Sequence, residues 1–325
     1  MSDSADFELD YAAITAGVGL LDRSPRGKLA LTGADARDFL QGQVTQDVAA
    51  LTAGQGCYAA FLTPKGKMLG DLRVLDAGTE LLLDTERVAL QALFNMIRRY
   101  SLGYAVELHK RTLECGLLSL IGPLADELVT SGGATPGPAE HEHQMVTLGG
   151  APARAVRTDV GIDLLVAAPD AEAVRAAVLE AGAVAVGEAA AECLRIERGR
   201  PRYGVDLDDS VIPQEAGLNA RAVSFTKGCY VGQETVARLF YRGRPNRELR
   251  GLSSGQPLAV GTELASEQRV VGTVTSAALS PRLGAIALAL VRREAAVGAT
   301  LRAGAEQQAV VGELPFAPAA LPTEH

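Results

Sequence analysis

The segment KGCYVGQETVAR, Lys227 to Arg238, sets one cysteine between glycine and tyrosine, beside a lysine and just before Gly-Gln-Glu. A cysteine there packs, binds a metal or reacts. The reactive form is the thiolate, which a neighbouring cation such as Lys227 favours, while Gly228 serves the turn. Asp71, in KGKMLGDLRV, is a second candidate. A carboxylate directly after a turn and inside an apolar strand must be paired, hydrated or put to use; a turn cap or an inter-domain hydrogen bond is the plain alternative.

The densest constellation is LRIERGRPRYGVDLDDSVIPQEAGL, residues 194–218, where Glu197 stands among Arg195, Arg198, Arg200 and Arg202. A carboxylate held by such cations stays ionised and accepts two parallel N–H bonds from an amidine-like edge. The competing reading is a surface salt-bridge network, which the Gly and Pro punctuation of a bent loop makes less natural. Downstream, RLFYRGRPNRELR (238–250) interleaves Phe240 and Tyr241 with five arginines. It suits an anionic tail or an RNA backbone, or else a solvated arginine-rich hairpin, and composition favours the hairpin.

Other motifs carry less. GQGCYA (54–59) has the letters of a dinucleotide fingerprint, but strand-like AAFLT follows it, so no helix N-terminus receives a pyrophosphate. His141 and His143 lie in a Gly/Pro-rich stretch without a third ligand and read as solvated surface, not as a metal site. His109 and His325 have no partner that the sequence identifies.

These residues must be held by a large chain. Its 325 residues exceed one ordinary core and predict two or three domains. The net charge of -8 argues against indiscriminate nucleic-acid binding. Four widely separated cysteines, without a CxxC, are neither a disulfide framework nor a zinc spacing and suit a reducing compartment. No signal peptide is evident at the acidic N-terminus, and no apolar run reaches the ~18 residues of a membrane span. A cytoplasmic protein is expected.

GKLAL reads as a strand, and ADARDFLQGQVTQDVAAL as a helix with Phe39, Leu40, Val44 and Val48 on one face. Three strands follow over 54–85, with turns at Pro64-Lys65-Gly66 and Ala77-Gly78, then a helix over TERVALQALFNMIRR and a strand in LECGLLSLIGP. Residues 131–153 read as a surface connection, before strand GIDLLVAA and helix DAEAVRAAVLEAG. From about 250, short runs (LRGLSS, RVVGTVTSAAL, GAIALALV, TLRA, QQAVVGEL) alternate with turns and predict a small all-β domain, ending in a loose tail, FAPAALPTEH. Helices and strands are interspersed without a βαβ rhythm, so the expected class is α+β.

Taken together, LTGADARDFLQGQVTQDV, TPKGKMLGDLRV, LRIERGRPRYGVDL, IPQEAGLNARAVSFTKGCYVGQETVAR and VVGTVTSAALSPRLGAIALALV resemble the YgfZ family of folate-binding proteins. These are relatives of the glycine-cleavage T-protein, an aminomethyltransferase. The resemblance implies a three-domain, ring-like fold: a discontinuous folate-binding domain (1–115 plus 195–248), a ferredoxin-like domain (116–194) and a C-terminal β-barrel (249–325). It implies tetrahydrofolate as cofactor, with Glu197 on the pterin edge, Arg238 and Arg247 near the anionic parts of the folate, and Tyr203 stacked on a ring.

The departures matter equally. T-proteins usually carry two adjacent acids where this chain has Gly70-Asp71, and they lack a cysteine at the position of Cys229. The YgfZ resemblance implies an accessory factor for assembly or repair of [4Fe–4S] clusters, including those of tRNA-modifying enzymes. Its partners would be client enzymes or assembly machinery, and Cys229 its reactive residue. One cysteine without ligand spacing does not hold a resident cluster, so a redox thiol or a transient shared ligand is expected. A folate-dependent one-carbon transferase using Asp71 is the alternative, and a tRNA-binding module at 238–250 the third reading.

Overall fold

The computed structural model describes residues 2–316, so the tail beyond Phe316, with His325, lies outside the described residues. The chain divides into two compact units: Met1–Ala190 with Asn219–Thr235, and Ala191–Leu218 with Val236–His325.

Two sheets build the first unit. One is a five-stranded antiparallel sheet in the order Gly56–Leu62, Met68–Asp76, Leu81–Thr85, Gly27–Thr32, Glu107–Lys110. The Thr63–Gly66 turn between the first two strands takes its shape from Gly66, at a φ of 77° that favours glycine. The other sheet is six-stranded: Val184–Ala185, Gly19–Asp22, Cys115–Ile121, Gly161–Ala167, Ala151–Arg157, His143–Leu148. Only its first pair is parallel. Helices Ala125–Thr130 and Ala171–Glu180 supply Val129, Val174 and Val178 to a core shared with Leu118, Leu120, Ile162, Leu164 and Val166.

A buried ion-pair chain ties the sheets together. Arg73 reaches Asp84 within the first sheet (2.7 Å) and Asp163 on the second (2.5 Å), where Ser119 Oγ also donates to Asp163 (2.6 Å). Arg26 holds the other side of Asp84 through two bonds of 2.9 and 3.0 Å. The two guanidinium groups keep the Asp84 carboxyl well below the usual range, although burial alone would raise it.

The second unit is organised around a closed antiparallel barrel in the order Arg247–Ser254, Gly284–Arg292, Arg269–Ser280, Glu263–Ser266, Thr300–Ala303, Gln307–Gly312. Closure removes sheet edges, and Leu252, Leu264, Val274, Val291, Leu301 and Val311 fill the interior. The register slips between Val274 and Ser276, which leaves Thr275 as the extra residue of a bulge. With mixed α/β elements before it and this barrel after, the fold is α+β.

Several segments differ from their sequence reading. The first helix over 34–51 ends at Gln41, because Gly42 follows and the Gln41 side chain turns back to accept from the amides of Val48 and Ala49. Val44 and Val48 are still buried, but Val44 forms a bridge with Phe61 instead of a helical turn. The connection over 131–153 contains the strand His143–Leu148, and both His141 and His143 are buried, not solvated. Residues 238–250 are not a hairpin: helix Gln233–Arg242 runs through the first arginines, and the barrel strand Arg247–Ser254 takes the last. Further elements had no sequence expectation, among them the helices Ser2–Ala16 and Ala125–Thr130 and the strands Gly19–Asp22, Glu107–Lys110, Ala151–Arg157 and Glu263–Ser266. Among the described residues no helix is long and apolar enough to cross a membrane.

Candidate functional site

In the first unit the candidate chemistry centres on Asp71. Its strand pairs with Gly56–Leu62 so that Ala60 faces Asp71 and Tyr58 faces Arg73. Residues two apart on a strand share a face, so Tyr58 stands diagonal to Asp71. The Tyr58 hydroxyl donates to Asp71 Oδ2 at 2.6 Å. Asp71 is buried, and burial pushes its carboxyl up to about 6, against the Tyr58 hydrogen bond and the Arg26 charge, which both favour the ionised form. Burial and the neighbouring Asp71 push the Tyr58 phenol well above its ordinary value, so Tyr58 keeps its proton.

Tyr58 is itself backed by charge. The guanidinium of Arg221, on the short helix Asn219–Ala222, lies 5.1 Å from the centre of the Tyr58 ring and bonds the Glu140 carboxylate. Beside Glu140, His141 is buried at a φ of 73°, and neither ring nitrogen has a hydrogen-bond partner among the described residues. Burial, with Arg73 and Arg221 nearby, pushes its imidazole down to about 3, so it is neutral. Sequence reasoning missed Tyr58, Arg221 and Glu140, and it placed the buried His141 on a solvated surface. Tyr58 is 13 residues from Asp71 and Glu140 is 81 from Arg221, so only strand register and tertiary packing bring them together.

Gly70 explains the single acid. A Cβ there would lie 2.6 Å from the Phe61 ring and 2.7 Å from Ala89 Cβ. Phe61 is fully buried, so a second carboxylate before Asp71 has no space without displacing the core.

Cys229 also belongs to the first unit and is exposed, as is Gly228, whereas Lys227 and Tyr230 on either side are buried. The Lys227 ammonium donates to three backbone carbonyls, of Gln41 (2.6 Å), Val44 (2.8 Å) and Gln46 (2.9 Å). All three of its N–H groups are thereby engaged, which leaves none for the thiol it was expected to assist. Cys57 feels the same cation, but burial dominates and pushes its thiol up to about 12. As expected, Gly54-Gln55-Gly56 leads into a strand, not a helix.

Glu197, Tyr203, Arg238 and Arg247 lie in the second unit. Glu197 ends the helix Glu188–Glu197 and is 3% exposed. Its Oε1 accepts from Ser280 Oγ at 2.5 Å, and its Oε2 from the Arg282 guanidinium at 3.0 Å. The Cys193 thiol, one helical turn before, lies 3.8 Å from Oε1, and burial with the Glu197 charge pushes it up to about 12. Arg195 turns elsewhere, to Glu192, to Asp206 Oδ2 (2.7 Å) and to Ser276 Oγ (2.7 Å). The barrel bulge lets consecutive Thr275 and Ser276 hydroxyls both reach Asp206 Oδ1, at 2.5 and 2.7 Å. Asp206 is thus a buried acid at the centre of the arginine segment that its sequence did not single out.

Arg247 forms a fork on Glu215, with two contacts of 3.2 Å, and also donates to the Ser210 carbonyl. Arg238 is exposed on helix Gln233–Arg242, and Tyr203 is half-buried in a loop that bridges to Leu207. Among the described residues no three His, Cys, Asp or Glu side chains converge as a metal-binding set.

The mixed α/β unit carrying Asp71 and the closed six-stranded barrel define a recognisable class. The model of the GCVT N-terminal domain matches residues 3–227, and that of the glycine cleavage T-protein C-terminal barrel domain matches 247–317. The chain belongs to the glycine cleavage T-protein family. It is 31% identical over 304 residues to an aminomethyltransferase of Rubrobacter xylanophilus, covering 89% of this chain and 80% of that one. A chloroplastic protein of Arabidopsis thaliana is 29% identical over 323 residues, with 97% of this chain and 74% of the relative covered. Among solved structures, the glycine cleavage system aminomethyltransferase T from Bartonella henselae superposes with a TM-score of 0.86 at 25% identity, covering 96% and 89% of the two chains.

Proposed function

We propose that the protein is a tetrahydrofolate-dependent one-carbon transferase of the aminomethyltransferase type, with Asp71 as its acid–base group. The observation that carries this reading is a buried carboxyl poised at about 6 and bonded by Tyr58. A general acid or base works best with a pKa near the working pH, and a buried carboxyl with a specific hydrogen-bond partner is where such a shift arises. The donor set fits a reduced folate: a buried carboxyl that takes or gives a proton beside an amine. Bound tetrahydrofolate would supply the nitrogen that carries the one-carbon unit.

Within this reading Tyr58 holds Oδ2 and leaves Oδ1 as the working oxygen. Arg221 favours the electron-rich ring of Tyr58 and limits its motion. The family resemblance assigns Glu197 to the pterin edge, with Tyr203, Arg238 and Arg247 as further folate contacts. Formation of methylenetetrahydrofolate from an aminomethyl donor, lost at least a hundredfold in Asp71→Asn, is the direct test. Calorimetry with Glu197→Ala tests the folate site separately, since unchanged affinity would remove Glu197 from it.

A second reading is favoured by one observation, the exposure of Cys229 at the tip of an anchored loop. An aminomethyltransferase needs no thiol, and a buried structural cysteine would not be placed there. In this reading the protein is a cytoplasmic, folate-binding accessory factor of the YgfZ type that serves [4Fe–4S] client enzymes through a redox-active or nucleophilic Cys229. Failure of Cys229→Ala to support [4Fe–4S] enzymes in a complementation assay is the expected result; full support would remove the role of the thiol.

A further inference from the structure

Segments 41–47 and 221–231 are stitched together along their length. Thr45 Oγ1 donates to the Ala222 carbonyl (2.5 Å), the Ser224 amide to the Thr45 carbonyl (3.0 Å), Gln46 Nε2 to the Arg221 carbonyl (3.2 Å) and the Val231 amide to the Gly42 carbonyl (3.2 Å). Across the middle, where the second segment bulges outward to expose Gly228 and Cys229, one side chain spans the gap: Lys227, with its three carbonyl contacts. The burial pattern from 227 to 230 is buried, exposed, exposed, buried. Around Gly228 there is open space, with no atom within 4 Å of where a Cβ would stand. The tip is held by its two flanking anchors and by one long contact of its own, from Gln233 Nε2 to the Gly228 carbonyl at 3.4 Å.

We propose that Lys227 is a positioning residue: a three-way clamp that fixes the Cys229 turn on the 41–46 segment. The inference rests on the second reading above for what the turn presents, but the clamp itself does not depend on any client.

Chemistry selects lysine for this task. The helix Ala36–Gln41 stops at Gly42, and the chain then turns, so the carbonyls of Gln41, Val44 and Gln46 converge without a helical partner for each. A tetrahedral ammonium offers three N–H groups to three separate acceptors. A planar guanidinium offers its donors in one fork and does not fit that convergence. The groups facing the ammonium are the Asp47 carboxylate, which favours the charge, the Cys57 thiol, which burial keeps protonated, and the Tyr230 ring, 5.2 Å away. Burial outweighs them and pulls Lys227 down to about 8. The neutral amine has only two N–H groups and a lone pair, so one carbonyl would then lose its donor.

The test is hydrogen exchange by mass spectrometry on the full chain, with peptide-resolved alkylation of Cys229 by iodoacetamide. In Lys227→Met, protection should fall at least tenfold over 41–47 and 222–231 and stay unchanged in the barrel strand Gly284–Arg292, while the Cys229 alkylation rate changes at least threefold. Lys227→Arg should not restore protection. In the natural chain, protection of these two segments, corrected for intrinsic exchange, should fall as pH rises from 7 to 9.5; this step should be missing in Lys227→Met. Unchanged protection in Lys227→Met, or a loss spread evenly over the first unit, would overturn the clamp. Should that variant not fold, a flat pH response in the natural chain would overturn it alone. A clamp verified in this way beside a fully active Cys229→Ala would remove the thiol reading and leave the clamp.

Discussion

Replacing Tyr58 with phenylalanine should raise the Asp71 pKa, and the size of the rise follows from one bond. The Tyr58 hydroxyl donates to Asp71 Oδ2 at 2.6 Å in a buried setting, and this bond strengthens when the carboxyl is ionised. Hydrogen bonds to charged groups contribute about 1.5–3 kcal/mol, and about 1.4 kcal/mol corresponds to one pKa unit, so the expected rise is about 1–2 units. Starting from about 6, the variant would titrate near 7 to 8. At pH 7 the ionised fraction would fall from about nine-tenths to between about one-half and one-tenth. The assay is carbon-13 NMR of the aspartate carboxyl groups from pH 4 to 9. Asp84, held low by Arg26 and Arg73, serves as the internal reference that should not move. If transfer activity is measured in parallel, its acid limb should shift upward by the same amount. A midpoint for Asp71 that stays in place or drops in Tyr58→Phe would refute the reasoning, because the phenol would then not be stabilising the carboxylate.

Asp71→Asn should stabilise the fold while removing activity. The folded carboxyl binds protons more tightly than the unfolded one (about 6 against 3.8), so its contribution to stability declines as pH rises through that window. Denaturant titration at pH 8 should show the variant more stable by on the order of 1–3 kcal/mol, with no gain at pH 3.5. His141 acts in the opposite direction. Its folded value of about 3 lies below the ordinary 6.5, so stability present above pH 6.5 is lost as pH falls toward 3. In His141→Asn, which also suits the positive φ, thermal melts between pH 7 and 4 should show a shallower loss. Gly70→Ala should cost about 1–3 kcal/mol by overpacking against Phe61 and Ala89, and calorimetry should show a melting temperature lower by several degrees.

Where function depends on local spacing, the sequence was readable. Five of the six barrel strands were visible because short β-branched runs alternate with turn residues, and Asp71 stood out because an acid interrupts an apolar strand. Three kinds of information were not local. Strand register decides that Tyr58 meets Asp71, and nothing within either strand states the offset. Long-range packing decides that Glu197 is held by Ser280 and Arg282, more than eighty residues downstream, in addition to any help from the arginines near it in sequence. Composition misled in two places. The strand His143–Leu148 was hidden by flanking glycines and prolines, and by a buried histidine that breaks the alternation set by Val146 and Leu148. The helix Gln233–Arg242 buries little beyond Val236, so its arginines and aromatics masked the helical period.

The slip between Val274 and Ser276 turns the barrel into a device that counts residues. On an unbroken strand, neighbouring side chains face opposite sides, so Thr275 and Ser276 could not both address Asp206. Deleting Thr275 would leave Val274 opposite Ala289 and Ser276 opposite Leu288 and so restore plain alternation, whereas a deletion elsewhere in the strand would reverse the facing of every residue on one side of the cut. Asp206 would lose the Thr275 hydroxyl and keep that of Ser276, which would remain an anchor for Arg195. Length variation among relatives should therefore collect in the turns around Gly255–Gly261 and Arg293–Gly298, and be absent from this strand.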